Sequence, residues 1–481
     1  MSIKSRSSSI RAAKNMPTVH AHAAGIDLGN TQHFVCVPQD SVAEKESPVR
    51  SFGVFNPSLD QMVEWLKKCQ VTTVAMESTG VMWIPVYQKL EAAGFEVLLV
   101  NTKKLKHVPG RKSDVLDCQW IQQLHSYGLL NGSFRPADVV CRLRSLMRQR
   151  DNLVRAAGRE TQHMQKAMQE MGIHLHVVVA DVTGTTGLQI IDAIIAGETD
   201  PQALVKLRDP RVRKSTVEEM VAALKGDWRD ELLFVLRQSR QAYQFYQGQM
   251  EELDQKIVAT LALVPTTAVP VKDESVTVTP ENQSEGASTS EAKPKKPKRQ
   301  SGGNSLQHEL RPQLTRIFGV DLTQIPGLNI LGILILLAEV GNDLKKFRNG
   351  DAFAAWLGLC PGAKISGGKV ISSRTPRVVS RLAMVLRLAA IAIGRTDTCL
   401  GHFYRRMKGR HGPPKAITAT ARKLAVLLHK LIAEGTSYRE PDAEKYQAKI
   451  DAERVKRLLR QAKDLGYELV RIEPIPEPST A

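Results

Sequence analysis

The chain has 481 residues, enough for two to four domains with sizeable cores, and its 67 Lys and Arg against 49 Asp and Glu leave a formal charge of +18. A surplus of that size suits a polyanionic partner such as DNA or RNA. Six scattered cysteines (36, 69, 118, 141, 360, 399) form no CxxC pair, which excludes a zinc ribbon or finger; Met1 to His22 is too polar and basic for a signal peptide. The most apolar run, Ile330 to Val340, is far shorter than the roughly 20 residues that span a bilayer, so a cytoplasmic, nucleoid-associated protein with reduced thiols and no membrane contact is expected.

Residues 1–21 carry Lys4, Arg6, Arg11 and Lys14 with no early acid and read as a flexible basic arm. From Ala23 the pattern becomes compact. Strands are expected at 23–29, 32–38 and 48–55, then a helix at 57–68 with Leu59, Met62, Val63 and Leu66 on one face. A strand at 71–76, a helix at 82–93, a strand at 95–100 and a helix at 113–127 follow. The order βββαβαβα fits an α/β ribonuclease-H-like domain over 22–136, with three antiparallel strands extended by parallel ones.

Over 137–263 the apolar period changes. Val139, Leu143, Leu146, Leu153, Ala157, Met164, Ala167 and Met171 follow steps of four and three, interrupted by Arg150 and Glu160; a second run includes Leu232, Leu236, Tyr243, Tyr246, Met250, Leu253 and Ile257. Two long helices at heptad spacing predict a coiled coil, either between protomers or folded back within one chain. Residues 264–305, rich in Pro, Ser, Thr, Glu and Lys, read as a disordered linker. A helical domain is expected over 306–432, with helices at 330–340, 352–357, 378–393 and 416–432. Its Ile325-Pro326-Gly327-Leu328 start looks like a helix-hairpin-helix turn. A charged helical tail occupies 433–481.

The chemistry gathers at two places. Asp27 lies on an apolar strand, Glu77 directly after another, and Asp114 and Asp117 share one face of a helix's first turn. In a ribonuclease-H-like sheet these locations converge, so the four carboxylates can hold two Mg²⁺ ions about 3.5–4 Å apart and clamp the attacking and leaving oxygens of a phosphodiester. Asp114 also suits a helix N-terminus on dipole grounds alone. The second place is Cys360-Pro361-Gly362-Ala363-Lys364-Ile365-Ser366-Gly367-Gly368-Lys369. There a serine sits on a loop between two turn signals, with Lys364, Lys369, Arg374, Arg377 and Arg381 nearby to neutralise a phosphate. A Ser-Gly-Gly alone is also an ordinary turn.

These residues together resemble the transposases of insertion sequences related to the Piv invertase, the bridge-RNA-guided recombinases with a RuvC-like DEDD domain. The likeness covers roughly 22–175 and 306–432 and is carried by GIDLGNTQHFVCVP, AMESTG, GRKSDVLDCQWI, GDAFAAWLGLCPGAKISGGK and PKAITATARKLAVLLHKLI. The resemblance implies that Asp27, Glu77, Asp114 and Asp117 bind Mg²⁺ and that Ser366 attacks a DNA phosphodiester to form a phosphoserine intermediate. Lys112, Lys364, Lys369, Arg374 and Arg377 are expected to contact nucleic acid, and the resemblance implies a dimeric or tetrameric assembly whose two site halves come from different protomers. Strand exchange would pass through a Holliday junction, guided by a noncoding RNA of the element. The chain departs from the family where many members have two serines before the Gly-Gly, and where a Lys-x-Gly-Asn-like turn is replaced by Arg374-Thr375-Pro376-Arg377.

Three other classes fit less well. The Gly25-Ile26-Asp27-Leu28-Gly29 stretch is similar to the first phosphate loop of actin-like and hexokinase-like ATPases, but a second Gly-rich phosphate loop is not found after residue 136. A Mg²⁺-dependent Holliday-junction-type nuclease with water as nucleophile would use the four acids and leave 306–432 without a role. A non-catalytic nucleic-acid-binding protein would carry the acids as a liability, since carboxylates repel phosphate unless metals intervene.

Overall fold

The computed structural model describes residues 17–78, 80–101, 114–211, 214–266, 310–362, 364–376, 378, 380–440 and 443–470. Most of the basic arm, Lys112, Arg377, nearly all of the predicted linker and the last eleven residues lie outside them. The chain divides into two compact units, Met1–Arg135 and Pro136–Ala481.

The first unit is a five-stranded mixed sheet. Its strands are β1 (Ala23–Leu28), β2 (Gln32–Cys36), β3 (Val49–Gly53), β4 (Thr73–Glu77) and β5 (Glu96–Val100), in the order β3-β2-β1-β4-β5. β1 pairs antiparallel with β2 and parallel with β4, so it is the central strand. Its near-continuous apolar run follows from burial on both faces. Helix α1 (Asn56–Lys68), entered through Pro57, and α2 (Trp83–Ala92) cover one face, where Leu59, Met62, Leu66, Val86 and Leu90 pack on Ile26, Val74 and Met76. Each such side chain contributes about 1.5–3 kcal/mol by burial. Helix α3 (Asp114–Ser126) covers the other face, where Ile121 meets Ala75 and Val100. The predicted order and all eight elements are present, and the α/β expectation holds for this unit.

Two 33-residue helices, α4 (Asp138–Glu170) and α9 (Asp230–Ala262), dominate the start of the second unit. Arg150 meets Asp254, and Asp227 N–H donates to Met171 O, so the two helices run antiparallel within one chain. This is the folded-back alternative. Between them α5 (Leu175–Val178), α6 (Thr185–Ile195), α7 (Pro201–Lys206) and α8 (Val217–Ala223) close a cap whose Ile173, Ile190, Ile191, Leu204 and Met220 join the core of the helical pair.

Arg150, which breaks the apolar seam in the sequence, has its reason in Asp254. Nε and Nη2 donate to Oδ1 and Oδ2 at 2.6 and 3.1 Å, with the two side chains 5% and 6% exposed. A buried pair of this kind specifies register more than it stabilises, whereas loss of one partner strands a charge in the core. Arg150→Met is therefore expected to cost about 3–5 kcal/mol in urea denaturation, and adding Asp254→Leu to recover most of it. A double variant no more stable than the single one would show that the pair has no such role.

The rest of the unit is helical: α10 (Arg311–Phe318), α11 (Ile330–Val340), α12 (Gly350–Trp356), α13 (Arg381–Ile393), α14 (Cys399–His411), α15 (Pro413–Glu434) and α16 (Ala443–Asp464), with one hairpin, β6 (Lys364–Ser366) and β7 (Lys369–Ser372). α11 is tied to α4 by Arg144, which donates to the carbonyls of Ala338 and Glu339 at 3.1 and 2.8 Å, satisfying acceptors at the end of α11. The Ile325-Pro326-Gly327 turn is seated against α13. Gly327 has φ +78°, and a Cβ there would lie 2.7 Å from Ala389 O. No helix among the described residues is long and apolar enough to cross a membrane.

Candidate active site

Residues 24, 26 and 28 of β1 face α1 and α2, so Gly25 and Asp27 face α3. On β4 the same alternation turns Ala75 and Glu77 to that side. β1 and β4 pair in parallel from Ala23↔Thr73 to Ile26↔Met76, and Asp27 and Glu77 occupy the next positions at the strands' carboxyl ends. Both are half-buried.

α3 lies along β1 in the opposite direction, and a ladder of contacts fixes its height. Ser126 O accepts from the N–H groups of Val19 and His20, at 2.8 and 3.0 Å. His125 Nε2 lies 2.9 Å from Thr73 Oγ1, and its ring stacks on His20; burial, then His20, pushes its pKa down to about 4. Gln122 Nε2 donates to Ala23 O at 3.2 Å. One helical turn further toward the N-terminus, the Cys118 carbonyl packs against Gly25 so closely that a Cβ there would fall 2.5 Å from it and 2.3 Å from Gln122 N. Four helical residues rise about 6 Å and two strand residues about 6.6 Å, so the next step carries the first turn of α3 to the level of Asp27. That turn holds Asp114, exposed, and Asp117, half-buried.

The electrostatics agree with this neighbourhood. Burial, then Cys36, then Asp27 push the Cys118 thiol up to about 12. Carboxylate oxygens are donors of the kind that suit a hard divalent cation such as Mg²⁺. Among the described residues, however, the carboxylates are not drawn together into a group of three or more able to hold a metal ion. What is brought together is Asp27 with Glu77 on adjacent strands and, through Gly25, the helix that bears Asp114 and Asp117.

The second candidate locus differs from the predicted loop. Ser366 ends β6 of a two-stranded hairpin and pairs with Lys369 across a Gly367-Gly368 turn, whose φ values of +55° and +76° are those of a two-residue type I′ connection. A Cβ at either glycine meets nothing within 4 Å, so glycine is required there by conformation rather than by space. Ser366, Lys369 and Arg374 are exposed, and the hairpin base is closed by Gly362 N–H donating to Arg374 O at 3.0 Å. Ile365 and Val370 pair on the opposite face, 63% and 62% exposed. Lys364 takes its place in β6 opposite Ser372. Sequence reasoning passed over Gly25, although a lone glycine inside a strand is a signal of close backbone approach.

Two family models match the chain. A DEDD transposase model of IS110 elements, described as transposase, covers residues 24–173, and one described as transposase IS116/IS110/IS902 family covers 321–405. A relative named "Putative transposase y4pF/y4sB" from Sinorhizobium fredii (strain NBRC 101917 / NGR234) is 30% identical over 135 residues, 26% of this chain and 33% of the relative. The match thus spans a third of that relative's length. Asp27, Glu77, Asp114 and Asp117 fall inside the first matched segment and Ser366 inside the second. Over these two segments the chain is similar to insertion-sequence transposases of the IS110 family.

Proposed function

We propose that the protein cuts and rejoins DNA strands as the transposase of an insertion sequence, with a RuvC-like carboxylate site, a nucleophilic serine and an element-encoded guide RNA, acting as an oligomer on nucleoid DNA. The observation that supports this reading is the seating of α3 on Gly25, which packs the helix bearing Asp114 and Asp117 against the strand bearing Asp27, next to the strand bearing Glu77. Asp27, Glu77, Asp114 and Asp117 would hold Mg²⁺, which supplies charge neutralisation at the scissile phosphate. Ser366 Oγ bonds to phosphorus while the bond from phosphorus to one deoxyribose oxygen breaks. The hydroxyl proton passes to solvent, and the departing oxygen takes up a proton from water. Lys369, opposite Ser366, places an ammonium beside the phosphate oxygens. In the reverse step a strand-end hydroxyl displaces the serine and restores the phosphodiester.

Asp27→Asn keeps the shape of the side chain and removes the charge. It is expected to lower Mg²⁺-dependent strand cleavage by about 10²–10³-fold while leaving DNA binding in place. Cleavage at the wild-type rate in that variant would refute the carboxylate assignment.

A further inference from the structure

A groove of about 1910 Å³ opens on the second unit between α14, α15 and residues 435–439, and it reaches the base of the Ser366 hairpin at Ser373, Arg374 and Thr375. Most of its lining follows residue 405, where the second family match ends. Phe403, Met407 and Leu427 contribute apolar floor, and Arg374, Lys415, Lys423, Lys430 and Arg439 supply positive charge. Of the acids in the lining, Asp351 is engaged by Arg422 at 2.9 Å, and Glu434 lies near the far end of α15.

The wall at 435–439 is anchored rather than loose. Glu440 Oε1 accepts from Cys399 N–H at 2.8 Å at the start of α14, and Tyr438 hydrogen-bonds to the same carboxylate. Lys423 Nζ lies 4.1 Å from the centroid of the Phe403 ring, and burial, then the nearby Arg406 guanidinium, hold its pKa below the ordinary lysine value. Cations concentrated over an apolar floor favour an extended anion with apolar flanks, which describes a sugar-phosphate backbone with its bases. From Lys415 to Lys430 the helix rises about 22 Å, a length over which one strand of B-form DNA carries about six phosphates.

We propose that this groove seats the backbone of the DNA that Ser366 cuts and joins, running from Arg374 at the hairpin base along α15. The proposal rests on the reading of Ser366 as nucleophile, because continuity with the hairpin is what favours DNA over RNA as occupant. An acidic protein segment would need its charges spread over the same length.

The test is binding of a labelled random-sequence DNA duplex, and of RNA of the same sequence, by the full chain across a salt series. Lys415→Gln/Lys430→Gln is expected to weaken DNA binding by about tenfold or more and to lower the slope of log K against log salt by about two, roughly 0.9 for each phosphate no longer neutralised. Lys67→Gln/Lys68→Gln on α1 removes the same charge elsewhere and is expected to leave the slope unchanged. Both doubles replace exposed lysines, and an unchanged thermal midpoint verifies folding. An unaltered DNA slope in the groove variant, an equal fall in the α1 variant, or a loss confined to RNA would each overturn the proposal. Covalent capture of DNA is scored separately. A groove variant that loses slope while the wild-type chain forms no adduct would leave the DNA seat standing and remove the nucleophile.

Discussion

Ser366→Ala is expected to abolish the covalent protein–DNA adduct and to lower strand exchange by a factor on the order of 10⁴ or more, with DNA binding retained. The size of the effect follows from the chemistry. Alanine has no atom that can bond to phosphorus, so the intermediate cannot form and only attack by water remains. The fold gives no reason for collateral damage, since Ser366 is exposed at a hairpin end and its turn depends on Gly367 and Gly368. The measurement is trapping on a denaturing gel with labelled DNA. An adduct of undiminished yield in the alanine variant would sink the serine assignment. Cleavage at the wild-type rate without any adduct in the wild-type protein would point instead to water as nucleophile.

Much of the first unit was legible because its physics is local. Apolar alternation, Asn56-Pro57 before a helix and Gly29-Asn30 between strands place all eight elements within a few residues of where they lie. The acids Asp27 and Glu77 stood out because a carboxylate at the end of an apolar strand is costly without compensation. Other features were hidden for identifiable reasons. α14 contains Gly401 and Gly409 and the basic Arg405, Arg406, Lys408 and Arg410, so it lacks a broad apolar stripe, yet Thr398 caps it and Tyr404 is buried. The hairpin at 364–372 is too short and too exposed to show a buried-strand pattern. Arg150 read as an interruption because its partner, Asp254, lies over a hundred residues away, and only the antiparallel packing of α4 and α9 joins them. The groove on α15 follows the same principle: a helix whose apolar face was plain carries its lysines on a side whose use depends on neighbouring elements.

Gly25→Ala is expected to have a large effect relative to its size. A single methyl group there would meet Gln122 N at 2.3 Å and Cys118 O at 2.5 Å. Both obstacles are backbone atoms of one helix, so no side-chain rotation relieves them. α3 must retreat by about an ångström, opening its packing at Ile121 and His125, and overpacking of this kind costs about 1–3 kcal/mol or more. Retreat of the helix would also carry Asp114 and Asp117 away from Asp27 and Glu77. Misplacement on that scale is worth about 10²-fold in rate. Two effects are therefore expected from one methyl group: a lower urea midpoint and a greater Mg²⁺ requirement for cleavage. Gly158→Ala is the matching control. It lies inside α4 with nothing within 4 Å of the added Cβ, and it is expected to stabilise by about 0.5–1 kcal/mol through helix propensity alone. If Gly25→Ala left both the midpoint and the Mg²⁺ dependence of cleavage unchanged, the proposed dependence of the carboxylate site on the close approach of α3 to β1 would be wrong. If stability alone fell, Gly25 would be a packing residue and no more. A joint loss, with Mg²⁺ in excess recovering part of the activity but not the midpoint, would tie the absent side chain at position 25 to the chemistry at position 27.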